Sequence, residues 1–189
     1  MAKKNGQAAI WDSNVIKKLR SRLTSDKQRL IFEISLFTGE RMGAITRLKV
    51  SDVYDTTGNV REYIFFAGAT RKSTRWGTAK DRRVKIHDDL RVFLKQYRQP
   101  KSGYLFPSSS KFGHITVRGV DDYWRRRFND MGFTGFSTHS SRRWLINQLG
   151  KTTKIHIIAE IMAMNITTVR HYLDDDPEAC DLAIATLSV

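Results

Sequence analysis

The sequence predicts a mainly α-helical domain with a small antiparallel β-sheet. Three observations predict it. Apolar residues recur at helical spacing behind capping residues along most of the chain, and only two short runs are rich in aromatic or β-branched residues. Of the 189 residues 40% are hydrophobic, enough to bury one substantial core.

Asp12 and Ser13 can cap a first helix reaching about Leu23, and Ser25 or Asp26 a second that carries Leu30, Ile31, Ile34, Leu36 and Phe37 and ends at Thr38 and Gly39. Gly43 to Leu48 suits a short helix. Tyr63 to Phe66 and Arg82 to Ile86 read as strands joined by a basic hairpin. Asp88 or Asp89 can cap a helix holding Leu90, Val92, Phe93, Leu94 and Tyr97, stopped by Pro100; Tyr104 to Phe106 is a short extended piece. The remainder is helical: Val117 to Met131, His139 to Leu149, Ile155 to Met162, a helix or turn around Thr167 to Leu173, and Pro177 to Leu187. Met1 to Gln7 is polar and charged, and residues 1–8 are expected to be a flexible tail.

Lys and Arg number 33 against 19 acidic residues, a formal charge of +14. Such an excess favours a polyanion through counterion release, with nucleic acid the first candidate and an anionic membrane surface the second. Cys180 is the only cysteine, so no intrachain disulfide or cysteine-built zinc site is possible, and a reducing cytoplasm fits. No apolar run reaches the length of a signal peptide or membrane span; Ile155 to Met164 is interrupted by His156 and Glu160. A soluble, cytoplasmic, DNA-associated protein is expected.

Four segments carry potential chemistry: Thr38-Gly39-Glu40-Arg41, the basic hairpin from Arg71 to Lys80, Thr138-His139-Ser140-Ser141-Arg142-Arg143, and Arg170-His171-Tyr172-Leu173. Each has an ordinary structural explanation. Gly39 can be a helix C-cap beside a solvated Arg41, the hairpin a solvated turn, His139 a cap-bonded residue, and Tyr172 a packing residue. His139 and Arg142 are three apart and can share a helical face.

Taken in order, the four segments resemble the catalytic domain of the tyrosine recombinase, or phage integrase, family. The resemblance runs from about Ala9 to Val189 and includes Ser51-Asp52-Val53. It implies the DNA breaking-rejoining fold over residues 9–189; the family usually places a separate helical DNA-binding domain before this one, and because the similarity begins almost at residue 9 none is expected in this chain. It also implies roles. Arg41 and Arg142 would clamp nonbridging phosphate oxygens, which a planar guanidinium fork suits. Lys72, or alternatively Lys80, would protonate the leaving 5′ oxygen; His139 would handle a proton or bind the phosphate; Tyr172 would be the nucleophile. A phenol of ordinary pKa near ~10 is mostly neutral at about pH 7, so it needs a base or strong phosphate activation. Neither cofactor nor metal is implied, and the implied partner is double-stranded DNA held by a homotetramer.

Two departures stand against full activity. The family's acid three residues after the first arginine is Ala44 here. Where the family has Gly-His or a tryptophan before the nucleophile, this chain reads Ile161-Met162-Ala163-Met164-Asn165, so Ala163 or Met164 takes the phosphate-binding place. A noncatalytic DNA-binding protein with a recombinase fold is the alternative, and a type IB topoisomerase a third.

Overall fold

The computed structural model describes residues 11–71 and 79–173, together with Ala185. Lys72, the tail of residues 1–8, and the helix expected from Pro177 to Leu187 lie outside the described residues, Ala185 alone excepted. Helix α1 (Ser13–Arg22) starts where Asp12 Oδ1 accepts from the amides of Asn14 at 2.7 Å and Val15 at 2.8 Å, satisfying two of the helix's otherwise unpaired donors. Helix α2 (Asp26–Thr38) follows, without a side-chain cap from Ser25. It ends at Gly39, whose φ of 57° is left-handed. A Cβ at Gly39 would lie 2.7 Å from Met162 Cε, so glycine is required there by backbone conformation and by the close approach of a later helix.

Helix α3 is a single turn (Met42–Ile45), shorter than the segment from Gly43 to Leu48 expected from sequence. Strands β1 (Tyr63–Phe66) and β2 (Arg82–Lys85) pair antiparallel, with Ile64 opposite Val84 and Phe66 opposite Arg82. Residues directly opposite share a face, so Arg82 projects inward beside buried Phe66 where an apolar residue would be ordinary. The hairpin closes at Gly68, whose Cβ would lie 2.0 Å from the Ala79 carbonyl oxygen.

Helix α4 (Asp88–Gln96) is capped by His87, whose Nδ1 accepts from the Asp89 amide at 3.2 Å, so neither Asp88 nor Asp89 is its cap. The Tyr104 segment bridges to Lys49, with the Leu105 amide on the Leu48 carbonyl at 2.8 Å. Helices α5 (Val117–Asp130), α6 (Ser140–Gly150), α7 (Ile155–Met162) and α8 (Ile166–Arg170) complete the described fold. His139 stands at the N-cap of α6 instead of inside it, and its amide donates to Ser137 Oγ at 3.2 Å.

The main core is aromatic at its centre: the Trp11 ring lies 5.1 Å from Phe32 and 6.0 Å from Trp124 and Phe128. A smaller core holds Ile146, Ile158, Ala159, Met162 and Val169, with Tyr172 and Leu173 packed against it. Among the described residues, no helix is long and apolar enough to cross a membrane.

Helix α7 ends with Ala163 left-handed at φ 47°, the amide of Met164 reaching back to the Ala159 carbonyl at 2.9 Å. Ala163 is the one non-glycine with positive φ among the described residues. Its Cβ crowds the following carbonyl, at a cost of about 1–2 kcal/mol, partly offset in a glycine variant by a more flexible unfolded chain. Ala163→Gly should therefore raise the unfolding free energy by roughly 0.5–1 kcal/mol in urea titrations; a lower value would mean that Ala163 makes a contact worth more than its strain.

Candidate active site

Glu40 follows the C-terminus of α2 and is fully buried as a side chain. Its Oε2 accepts from Arg71 Nε at 3.1 Å and Arg82 Nη1 at 2.9 Å, while Oε1 accepts from the Arg41 amide at 2.9 Å. Burial alone would push its carboxyl up. Arg82, the Arg41 amide and Arg71 outweigh that and hold it below the ordinary glutamate value.

Arg82 has a second function in packing. Its Nη2 donates to the Thr38 carbonyl and its Nε to the Ile161 carbonyl, both at 2.9 Å. Those carbonyls lie at the C-terminal ends of α2 and α7, which carry partial negative charge and lack intrahelical partners. Strand β2 is thereby bolted to two helix ends. Burial lowers the pKa of Arg82, and Glu40 opposes the shift.

Arg142, the third residue of α6, is 1% exposed. Its Nη1 donates to the Gly39 carbonyl at 2.7 Å and stands 4.0 Å from Glu40 Oε1, an electrostatic approach and not a hydrogen bond. Its Nε and Nη2 are buried and have no hydrogen-bond partner among the described residues. Burial, followed by repulsion from Arg41, pushes Arg142 down to about 10, against attraction from Glu40 and Tyr172. It remains a cation at neutral pH.

Arg41 is half-buried at the N-cap of α3, close enough to act on Arg142. Tyr172, half-buried just after α8, is also within electrostatic reach of Arg142. Its carbonyl accepts from Asn147 Nδ2 of α6 at 2.7 Å, so one helix carries Arg142 and holds the tyrosine's backbone. Arg41 and Tyr172 thus both lie within electrostatic reach of Arg142. His139 is exposed one turn before Arg142. Lys80 is exposed at the hairpin base, where its carbonyl accepts from Arg71 Nη1 at 2.8 Å. Arg47 connects α3 to that base, donating to the carbonyls of Gly43 at 2.7 Å and of Thr70.

Sequence reasoning missed the part taken by Glu40, Arg71, Arg82 and Asn147, although Glu40 and Arg71 lie within the segments it singled out. Glu40 stands between Gly39 and Arg41, and Arg82 between Asp81 and Arg83, so no apolar surrounding in the chain marked either for burial. Ala44 is buried, and the carboxylate among the arginines comes from Glu40 instead. Among the described residues no cluster of His, Cys, Asp or Glu could hold a metal ion. A buried guanidinium edge beside a second arginine and a phenol suits a tetrahedral oxyanion.

A model of the phage integrase family matches residues 12–179. Similar solved structures include the integrase from mycobacterium phage Brujita, 16% identical over 89% of this chain with a TM-score of 0.65. XerA recombinase is 16% identical over 100% of the chain, TM-score 0.72, and the Tn1549 transposon integrase in complex with a circular intermediate DNA is 14% identical over 99%, TM-score 0.73. The chain spans 54%, 67% and 68% of those three chains respectively. At such identities they show a shared fold. No curated protein matches the chain.

The lowered pKa of Glu40 makes its stabilisation pH-dependent. The contribution is complete above the ordinary value of 4.5 and is lost as pH falls through the lower folded value. Unfolding free energy measured between about pH 6 and about pH 3 should fall more steeply in the wild type than in Glu40→Gln. The difference between the two proteins cancels groups common to both, including Glu33, whose pKa is raised by burial. Parallel profiles would show that Glu40 carries no net proton linkage.

Proposed function

The chain belongs to the phage integrase family, and we propose that it is the catalytic domain of a site-specific DNA recombinase acting through a 3′-phosphotyrosyl intermediate. The carrying observation is the Nε/Nη2 edge of Arg142, buried and without a hydrogen-bond partner among the described residues, within electrostatic reach of Arg41 and Tyr172. Leaving such donors unmet is costly unless a ligand meets them. Elsewhere in the chain the same edge of Arg20 holds both oxygens of Glu33, at 2.7 and 2.6 Å. A scissile phosphate offers Arg142 an equivalent oxygen pair.

In this mechanism the Tyr172 oxygen attacks phosphorus while the bond to the 5′ oxygen breaks. The phenol proton passes to His139 or to solvent, and Lys72 protonates the departing 5′ oxygen. Arg41 and Arg142 offset the charge of the phosphorane. The phosphotyrosine retains the energy of the phosphodiester, and a second strand's 5′ hydroxyl reverses the step. Double-stranded DNA is the proposed substrate, held by four protomers during recombination.

A weakly active or noncatalytic DNA-binding protein is the second reading, and one observation favours it. The left-handed backbone of Ala163 is the position a glycine would occupy in a Gly-His pair, which gives Met164 the histidine's place. A methionine donates no hydrogen bond, and loss of one donor to a developing oxyanion costs on the order of 10² to 10³ in rate. A nicked suicide duplex that traps the covalent complex separates the readings.

Tyr172→Phe should bind this duplex as the wild type does and form no covalent complex on denaturing gels; a trapped band in that variant would remove Tyr172 as nucleophile. A duplex whose bridging 5′ oxygen is sulfur needs no proton on its leaving group. It should restore cleavage to Lys72→Ala and find little defect to restore in Lys80→Ala, the reverse pattern transferring the acid's role to Lys80.

A further inference from the structure

We propose that Glu40 is a positioning residue for strand cleavage, fixing the direction in which Arg142 and Arg41 present their guanidinium groups to the phosphate. The inference rests on the phosphate-cleaving role given to the site above. Glu40 acts through the arginines, because its two oxygens are taken up by Arg71, Arg82 and the Arg41 amide.

The tripeptide Gly39-Glu40-Arg41 contains three parts of the device in sequence. The Gly39 carbonyl holds Nη1 of Arg142 at 2.7 Å, the Glu40 carboxylate lies 4.0 Å from that nitrogen, and Arg41 supplies the second cation. Engaging Nη1 on one side leaves Nε and Nη2 as the edge without a hydrogen-bond partner among the described residues. The carboxylate fixes the tripeptide from both of its oxygens. Oε1 receives the Arg41 amide, and Oε2 receives Arg71 and Arg82, which reach it from the two sides of the hairpin.

Charge leads to the same role. Arg71, Arg82 and Arg142 are 7%, 5% and 1% exposed, and Glu40 is the carboxylate they share. Without it, like charges in a poorly solvated space would repel and Arg142 would leave its place beside Gly39. With it, the cluster keeps an excess of positive charge that a phosphate can meet. Arg71 also grips the Lys80 carbonyl at 2.8 Å, so the same carboxylate orients the base of the lysine-bearing hairpin.

A carboxylate that merely stabilises the fold would slow every substrate equally, and this separates the two roles. The test compares the wild type, Glu40→Gln and Glu40→Asp on the nicked duplex, carrying either the normal scissile phosphodiester or a methylphosphonate. The methylphosphonate lacks one nonbridging negative charge, so its phosphorane asks less of the arginines. Circular dichroism and thermal melts establish folding, and duplex affinity is measured separately from the rate of covalent complex formation.

Glu40→Gln should bind duplex within about threefold of wild type and cleave the phosphodiester on the order of 100-fold more slowly. On the methylphosphonate its defect should shrink to less than about tenfold. Glu40→Asp keeps the charge but withdraws it by one methylene, and should show a smaller defect that shrinks in the same way; it carries the test if Glu40→Gln does not fold. An equal defect on both substrates, or no defect, overturns the positioning role and leaves the proposed function standing. A wild type that traps neither substrate overturns the proposed function, and the positioning role with it.

Discussion

The burial of one carboxylate among arginines governs this structure. Glu40 meets Arg71 and Arg82 by direct ion pairs, and the Arg41 amide by a hydrogen bond, inside a space that water scarcely reaches. Removing guanidinium groups from water is expensive, and a single carboxylate cannot compensate for several of them. Further compensation comes from backbone carbonyls, that of Lys80 for Arg71 and others at helix ends. Those of Thr38, Gly39 and Ile161 accept from Arg82 and Arg142, and each is a group that helix geometry leaves without an internal partner.

That constraint explains how the elements meet. The C-termini of α2 and α7 must converge because Arg82 bonds both, and the convergence leaves no room for a side chain at Gly39, where Met162 Cε approaches. Strand β2 must turn Arg82 inward, which the register with Phe66 accomplishes. Helix α6 is tied to the end of α2 by the bond from Arg142 to the Gly39 carbonyl, and it supplies Ile146 to the smaller core.

The phenol is held differently from the arginines. Tyr172 packs on the smaller core, and its backbone is tied to α6 by Asn147. Leu173 packs closely beside Gly150, where an added Cβ would lie 2.7 Å from Leu173 Cδ2. Ion pairs thus hold Arg71 and Arg82, while apolar contacts and the Asn147 hydrogen bond locate the tyrosine.

Local chemistry made much of the fold legible from sequence. Asp12 caps α1 because its carboxylate reaches amides two and three residues on, and Gly39 ends α2 because only glycine adopts that backbone cheaply. The strand runs and α7 were equally legible, since side-chain alternation and helical spacing are properties of neighbours in the chain. Arg41, Arg142 and Tyr172 could be singled out by sequence pattern, but their convergence could not be derived from it. Arg71 and Arg82 had every local mark of a solvated basic hairpin, and only the tertiary structure buried them. Their partner Glu40 is distant in sequence, and whether a charge is solvated or paired depends on what the fold places around it. Sequence therefore determined the elements and the candidate residues. Tertiary structure decided which charges lost their water, because desolvation is a property of the assembled interior and not of any segment within it.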